Sequence, residues 1–214
     1  MTGTFREALE RFVEALAAEP GPRLPLAKDA DLFSATAALG RRLVFLHTYG
    51  ERFVPEGETP GRIPRGRARC TKAIPESPER YPEEFSYDEN RKILHVGEGE
   101  VAPVDTAVWG FSVSGLEVVR SWLSYRMKEG AGKKSSPLDD IRPERWTAEM
   151  TEELLRLLWI LEATLEMFPA LKQNLNRVVE GELFTAEELP QPTEAERQPP
   201  KAEPEEDGQL LLGH

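Results

Sequence analysis

The side chains whose types and spacing could support binding chemistry lie in two basic stretches of this sequence. The first lies between Gly61 and Ile74, contains no acidic residue, and carries Arg62, Arg65, Arg67, Arg69 and Lys72. In the second, residues 120–134, five basic residues stand against one acid, and they are Arg120, Arg126, Lys128, Lys133 and Lys134. Clustered cations of this kind neutralise phosphates and position a protein on a duplex. Composition alone fits equally well with solvated surfaces that bind nothing.

Glycine-rich motifs do not support a nucleotide site. Residues 97–102 (GEGEVA) have the G-x-G-x-x-A spacing, but Pro103 and another predicted strand follow where a dinucleotide site needs a helix. Residues 130–136 (GAGKKSS) lack the P-loop glycine and Ser/Thr, because Met127 and Lys134 occupy those positions. We interpret the first motif as a turn and the second as a solvated loop that could still contact a DNA backbone.

The remaining reactive side chains form no recognisable catalytic or metal centre. His47 and His95 have no partner at metal-binding spacing, and we interpret His47 as a hydrogen-bonded structural residue. Cys70 is the single cysteine, so intrachain disulfides and cysteine-rich zinc sites are excluded, and it is interpreted as an incidental loop residue. The pair Asp139–Asp140 is typical of a loop or helix cap. Neither an amino-methyltransferase tetrapeptide nor a nuclease acidic pair with E-x-K is present. We predict neither catalytic residues nor metal ligands in this chain.

The charge of this 214-residue chain is unevenly distributed. The formal net charge is −11. From Glu180 to His214 there are ten acidic and two basic residues, a net of −8, which leaves −3 for residues 1–179. The N-terminus has no signal-peptide pattern, and the most apolar window, Leu154–Phe168, contains Glu162 and Glu166. We expect a cytoplasmic protein without a membrane span.

Hydrophobic periodicity predicts an α+β fold, mainly helical with a small antiparallel sheet, a long irregular basic loop and a disordered acidic C-terminal tail. The predicted helices are Thr4–Ala18, Ala30–Thr48, Leu116–Lys128, Thr147–Phe168, and one that starts at Pro169 and ends near Gly181. The predicted strands are Arg91–Val96 and Ala107–Val113, and residues 51–85 are predicted to be an irregular loop. The predicted domains are an N-terminal helix at 1–22, a folded domain at 23–189 and the tail at 190–214.

Two segments resemble the C-terminal specificity region of type ISP restriction–modification enzymes and related adenine-specific DNA methyltransferases. They are LGRRLVFLHTYGERF (39–53) and VWGFSVSGLEVVRSWLSYRMK (108–128), the second continued by SSPLDDI (135–141) and by Trp146–Leu158. The resemblance covers residues 28–190. Its pattern includes Trp109, Phe111, Val113, Ser114, Gly115, Val118, Ser121, Trp122, Leu123, Tyr125 and Arg126. Most of these have a packing explanation, whereas Ser121, Tyr125 and Arg126 are candidates for DNA contact or for buried hydrogen bonds.

The resemblance implies a DNA target-recognition role in a phage-defence system. In that family one polypeptide carries nuclease, ATPase, methyltransferase and recognition parts in order, and this chain corresponds to the last. It would be a subunit of a split enzyme or a truncated remnant that does not methylate alone. S-adenosylmethionine would bind a partner catalytic chain that modifies adenine N6. The implied partners are double-stranded DNA and that methyltransferase chain.

Two other functions remain open on the sequence. In one, the chain is a protein-interaction subunit whose helices 4–18 and 148–180 dock on the methyltransferase, without direct DNA contact. In the other, it is an independent enzyme, which the absence of a coherent site disfavours.

Overall fold

The computed structural model describes residues 25–127, 144–185 and 187–198. The α+β prediction is confirmed within these ranges: four helices accompany a four-stranded antiparallel sheet and a two-stranded one. Several predicted features lie outside the described residues: the helix Thr4–Ala18, the loop 130–136, the pair Asp139–Asp140 and the tail beyond residue 198. In the described part of the chain, no helix is long and apolar enough to cross a membrane.

Helix α1, Ala30–His47, agrees with its predicted range. The Asp29 carboxylate caps it by accepting a 3.0 Å hydrogen bond from the Leu32 N–H. Past its C-terminus the chain turns through Tyr49 and Gly50, both with positive φ. A Cβ on Gly50 would lie 2.9 Å from the Arg62 carbonyl oxygen, so glycine is required for this close approach.

The main sheet has the order β1-β4-β3-β2 and is antiparallel throughout. Its strands are β1, Arg69–Lys72; β2, Phe85–Asp88; β3, Ile93–Val96; and β4, Gly99–Ala102. The strand predicted at 91–96 is confirmed in β3. The loop predicted for 51–85 is wrong at Arg69–Lys72, since this mostly exposed tetrapeptide is a strand. Its sequence has no apolar alternation, and its strand conformation depends on backbone pairing with β4.

The strand predicted at Ala107–Val113 is wrong. Residues Thr106–Trp109 form a single-turn helix, α2, and only Ser112–Val113 is extended, as β5. β-propensity depends on tertiary context, and here the Trp109 ring stacks on Tyr87 of β2 at 5.1 Å. The helix predicted at 116–128 is also shorter than expected. Its first residues form β6, Leu116–Glu117, and helix α3 covers Val118–Ser124.

Helix α4, Ala148–Glu180, is continuous, so the prediction of a new helix at Pro169 is wrong. A proline inside a helix removes one backbone hydrogen bond. Pro169 itself is exposed. Both halves of α4 are held by packing: Leu158 lies in the main core, and Val178 packs with Ala27 and Leu32.

The main core lies between the sheet, α2, α3 and the first half of α4. Its fully buried side chains include Leu94, Val96, Val101, Val119, Leu123, Trp146, Leu154 and Leu158. The Trp146 indole N–H donates a 2.8 Å hydrogen bond to the Thr151 hydroxyl, so its one polar atom is satisfied. This core fixes the positions of β1, α3 and the first half of α4, which carry or contact the described basic residues.

Candidate nucleic-acid interface

Helix α4 holds the first basic stretch at residues 66–68. The Trp159 indole N–H donates a 2.8 Å hydrogen bond to the Ala68 carbonyl oxygen. One residue earlier, the Arg67 N–H donates a 2.6 Å hydrogen bond to Glu162 Oε2. A Cβ on Gly66 would overlap that carboxylate and lie 2.7 Å from Trp159 Cδ1. The backbone of residues 66–68 is therefore tightly placed, and Arg65, Arg67 and Arg69 lie on or beside this fixed segment.

In the contact between α4 and residues 66–68, Glu162 has a buried oxygen atom without a hydrogen-bond partner among the described residues. It is only 4% exposed, and within the described chain its Oε1 has no hydrogen-bond partner. Burying a carboxylate is costly, so one that accepts a backbone N–H is expected to serve a specific structural purpose. Here the purpose is to hold the basic segment on α4. The only sequence signal for this role was the position of Glu162 inside an apolar helical window.

The predicted phosphate ligands of the first stretch divide into two groups. Arg62 and Arg65 are exposed and have no carboxylate partner among the described residues. The Arg69 guanidinium instead donates to the carbonyls of Gly66 and Ala68, at 2.5 and 2.8 Å, and lies 5.6 Å from the Trp159 ring centre. Arg62 and Arg65 are therefore the more available groups for an external phosphate.

Arg67 takes part in a three-residue ion cluster. Its guanidinium and the Lys92 ammonium both donate to the Asp105 carboxylate, the latter at 2.6 Å. The hydrogen bond from Lys92 and then that from Arg67 hold the pKa of Asp105 below its ordinary value. Asp105 is the residue before α2, and its role was missed in the sequence because an acid that precedes a one-turn helix gives no distinct pattern.

Replacing Asp105 with asparagine is expected to lower the free energy of unfolding by about 1 kcal/mol at pH 7, a value kept small because both cationic partners are half exposed or more. Since the folded-state pKa is depressed, the wild-type advantage is present above the unfolded pKa of about 4 and is lost as pH falls through the folded pKa. Urea unfolding at pH 7 and at pH 2–3 measures both values.

The control for this variant is Glu98→Gln, which removes an exposed 3.4 Å ion pair with Arg80 and should change stability little at either pH. A deficit of Asp105→Asn that is equally large at pH 2 and pH 7 would contradict the ionic role.

The described part of the second stretch is occupied by internal contacts. Arg120, on α3, pairs with Glu117, and its guanidinium lies 4.9 Å from the Trp109 ring centre. Arg126 lies 3.8 Å from the Trp122 ring centre and donates a 3.1 Å hydrogen bond to Glu153. Both side chains are half-buried, and their contacts join the region of α3 to α2 and to α4.

The other predicted contact residues are Ser121, Tyr125 and three lysines. Ser121 is half-buried on α3, and its carbonyl accepts from the Tyr125 N–H at 3.2 Å. Tyr125 is 64% exposed. Lys128, Lys133 and Lys134 lie outside the described residues, so their predicted DNA contacts stay predictions.

Helix α2 brings the two basic stretches near each other. Arg67 binds Asp105 at its N-terminal end, and Arg120 lies over Trp109 at its C-terminal end. These ends are one helical turn apart, as the 2.9 Å hydrogen bond from the Trp109 N–H to the Asp105 carbonyl shows. Cations that are more than fifty residues apart in sequence therefore meet at one short helix.

The structure agrees with the interpretation of His47 as a structural residue, and it places Cys70 in β1 rather than in a loop. His47 Nε2 lies 3.0 Å from the Thr164 hydroxyl, as expected for a structural histidine. Residues 97 and 98 form the turn between β3 and β4, which confirms the turn at GEGEVA. His95 faces Glu100 across this pair, with 3.8 Å between Nδ1 and Oε1. The described residues contain no cluster of three potential metal ligands.

Comparison with known proteins gives one family match. The family model described as the type ISP C-terminal specificity domain matches residues 6–157. No curated protein and no solved structure matches the chain. The matched range ends inside α4 and contains both basic stretches.

Proposed function

Because the chain belongs to the family of type ISP C-terminal specificity domains, we propose that it recognises a DNA target for a restriction–modification system that methylates adenine N6. The family implies target recognition in restriction–modification. The observation that carries direct DNA contact is the pair Arg62 and Arg65, two exposed guanidiniums without carboxylate partners in the described chain, which directly precede the backbone segment 66–68 fixed on α4.

The basic residues are assigned different parts in this binding. Arg62 and Arg65 contact phosphates directly and set the register of the protein on the duplex. Arg67 and Arg120 already neutralise Asp105 and Glu117, so they contribute to DNA binding only by exchanging these partners for phosphate. Arg126 has a mainly structural part through Trp122 and Glu153. This division gives the variants of the first pair the larger effect on affinity.

Removing both charges in Arg62→Ala/Arg65→Ala is expected to weaken binding to every duplex to a similar extent. Because each phosphate contact releases counterions, the slope of log affinity against log salt should become shallower by about 2. Fluorescence anisotropy with a labelled duplex, over a salt series from about 50 to 300 mM, measures the affinity and the slope together.

The matched control is Arg41→Ala/Arg91→Ala, which removes the same charge from α1 and from the turn between β2 and β3. This control should retain the wild-type slope. Equal losses in the two double variants would indicate a general effect of net charge, and a wild-type affinity that does not fall with salt would remove the electrostatic basis of the proposal.

The catalytic activity is assigned to a partner chain. No catalytic-domain family is detected in this chain alongside the specificity domain. We place S-adenosylmethionine and the methyl transfer on a separate adenine-specific methyltransferase to which this domain brings its target. Co-purification from the native host tests this assignment, and recovery of a methyltransferase with the chain is the expected result. A chain that methylates duplex DNA alone would overturn it.

A further inference from the structure

A β-hairpin with a two-residue turn connects α2 to α3. Strands β5 and β6 pair with Ser112 opposite Glu117 and Val113 opposite Leu116. The connecting residues, Ser114 and Gly115, have φ values of +50° and +84°. Two successive positive φ values are typical of a type I′ turn, the tight turn whose twist matches that of paired strands. The hairpin therefore has a defined register and tip.

The base of the hairpin is held by buried residues on both sides. Phe111, which precedes β5, is 5% exposed and stacks on Phe168 of α4 with 6.3 Å between ring centres. Its carbonyl accepts a 3.0 Å hydrogen bond from the Val118 N–H, just after β6. Val119 is fully buried. Because both ends are anchored in the core, the direction in which the hairpin projects is fixed by the fold.

The tip carries an apolar pair that the domain does not cover. Val113 and Leu116 are 53% and 56% exposed. Directly opposite residues of an antiparallel pair place their side chains on the same face of the ribbon, so the two form one small apolar surface. A Cβ on Gly115 would have no atom within 4 Å, so the space around the tip is open. Such an arrangement favours a partner that accepts a narrow, projecting ribbon.

We propose that this hairpin enters the DNA major groove and reads base edges there; the inference rests on the proposed function and names its base-contacting element. The major groove is about 12 Å wide and admits a two-stranded ribbon. In it, Val113 and Leu116 contact thymine methyl groups, and the Ser114 hydroxyl bonds a base edge. Arg120, three residues beyond β6, exchanges its contact with Glu117 for a phosphate beside the groove.

The first test compares specific with non-specific binding by the full chain. A duplex is enriched from a random pool with the wild-type protein, and its affinity is compared with that for a scrambled duplex. Val113→Ser/Leu116→Ser should lower the ratio of these affinities by at least about 10-fold, with little change in affinity for the scrambled duplex. Phe33→Ser removes an apolar side chain that is 48% exposed on α1 and should leave the ratio unchanged.

The second test uses the wild-type protein and therefore needs no variant to fold. Thymines of the enriched duplex are replaced one at a time by uracil, which removes only the major-groove methyl group. At least one replacement should weaken wild-type binding by about 4-fold, the amount expected for one buried methyl group. The same replacement should have no effect on Val113→Ser/Leu116→Ser.

The outcomes separate this inference from the proposed function. If the wild-type chain shows no salt-dependent binding to any duplex, both fail. If it binds and discriminates, but uracil replacement has no effect or the enriched site contains no thymine, the groove assignment alone is overturned. The groove assignment is also overturned if Val113→Ser/Leu116→Ser discriminates between the two duplexes as well as the wild type does. A variant that keeps this discrimination but loses binding to a partner protein leads to the same conclusion.

Discussion

Replacing Gly66 with alanine is expected to lower the free energy of unfolding by about 2–4 kcal/mol. The added methyl group would overlap Glu162 Oε2 and lie 2.7 Å from Trp159 Cδ1. Relief of this overlap requires the Glu162 carboxylate or the segment itself to move, and either movement breaks the hydrogen bond from the Arg67 N–H to Glu162. The Glu162 carboxylate, already unsatisfied at Oε1, would then be buried without its backbone donor.

Urea denaturation of the full chain measures this loss, and duplex binding under native conditions measures its consequence. Because Arg65 and Arg67 flank the displaced residue, DNA affinity should also fall in protein that is still folded. The matched control is Gly40→Ala in α1, where a Cβ would meet no atom within 4 Å. That substitution should stabilise the helix by up to about 1 kcal/mol. If both variants had wild-type stability, the close packing of Gly66 on α4 would be disproved.

Truncation of Trp109 is the second substitution with a large expected effect on the free energy of unfolding. Trp109→Ala is expected to lower the free energy of unfolding by about 3–5 kcal/mol, as for other buried tryptophans. The indole is 9% exposed, stacks on Tyr87 at 5.1 Å and meets Phe85 edge-on at 6.1 Å. It also carries the Arg120 guanidinium on its outer side. The substitution therefore removes an aromatic contact between α2 and the sheet and the support of one predicted DNA ligand.

The comparison variant is Trp109→Phe, which keeps an aromatic ring between the sheet and Arg120. It should recover more than half of the stability lost in the alanine variant, since the stacking partners remain in place. Thermal unfolding of the three proteins gives the order wild type, phenylalanine, alanine. Equal stability of the phenylalanine and alanine variants would mean that ring stacking contributes nothing and that only the specific shape of the indole matters.

The helices with regular apolar spacing were predictable because their signal is local. The range of α1 follows from leucines and phenylalanines at helical spacing. The turn at residues 97–98 was likewise predicted from a short glycine-containing pattern. The family was also recognisable from sequence, because the segments 39–53 and 108–128 together are more specific than any single short motif, and both lie within the matched residues.

The errors occurred where a long-range contact outweighs local propensity. Thr106–Trp109 has the composition of a strand, but it turns into a helix so that Trp109 can stack on Tyr87. Arg69–Lys72 has the composition of a loop, but it becomes a strand through hydrogen bonds to β4. Pro169 has the position of a helix start, but packing of both halves of α4 keeps the helix continuous.

Sequence alone determined the class of fold, the family and the two basic stretches, because these depend on periodicity, composition and recognisable segments. Only the tertiary structure decided which cations are available. It pairs Arg67, Arg120 and Arg126 with carboxylates and leaves Arg62 and Arg65 without such partners in the described chain. It also places Glu162 under the basic segment and exposes the hairpin tip at Val113 and Leu116. These features depend on which side chains from distant parts of the chain meet, and no local pattern records that.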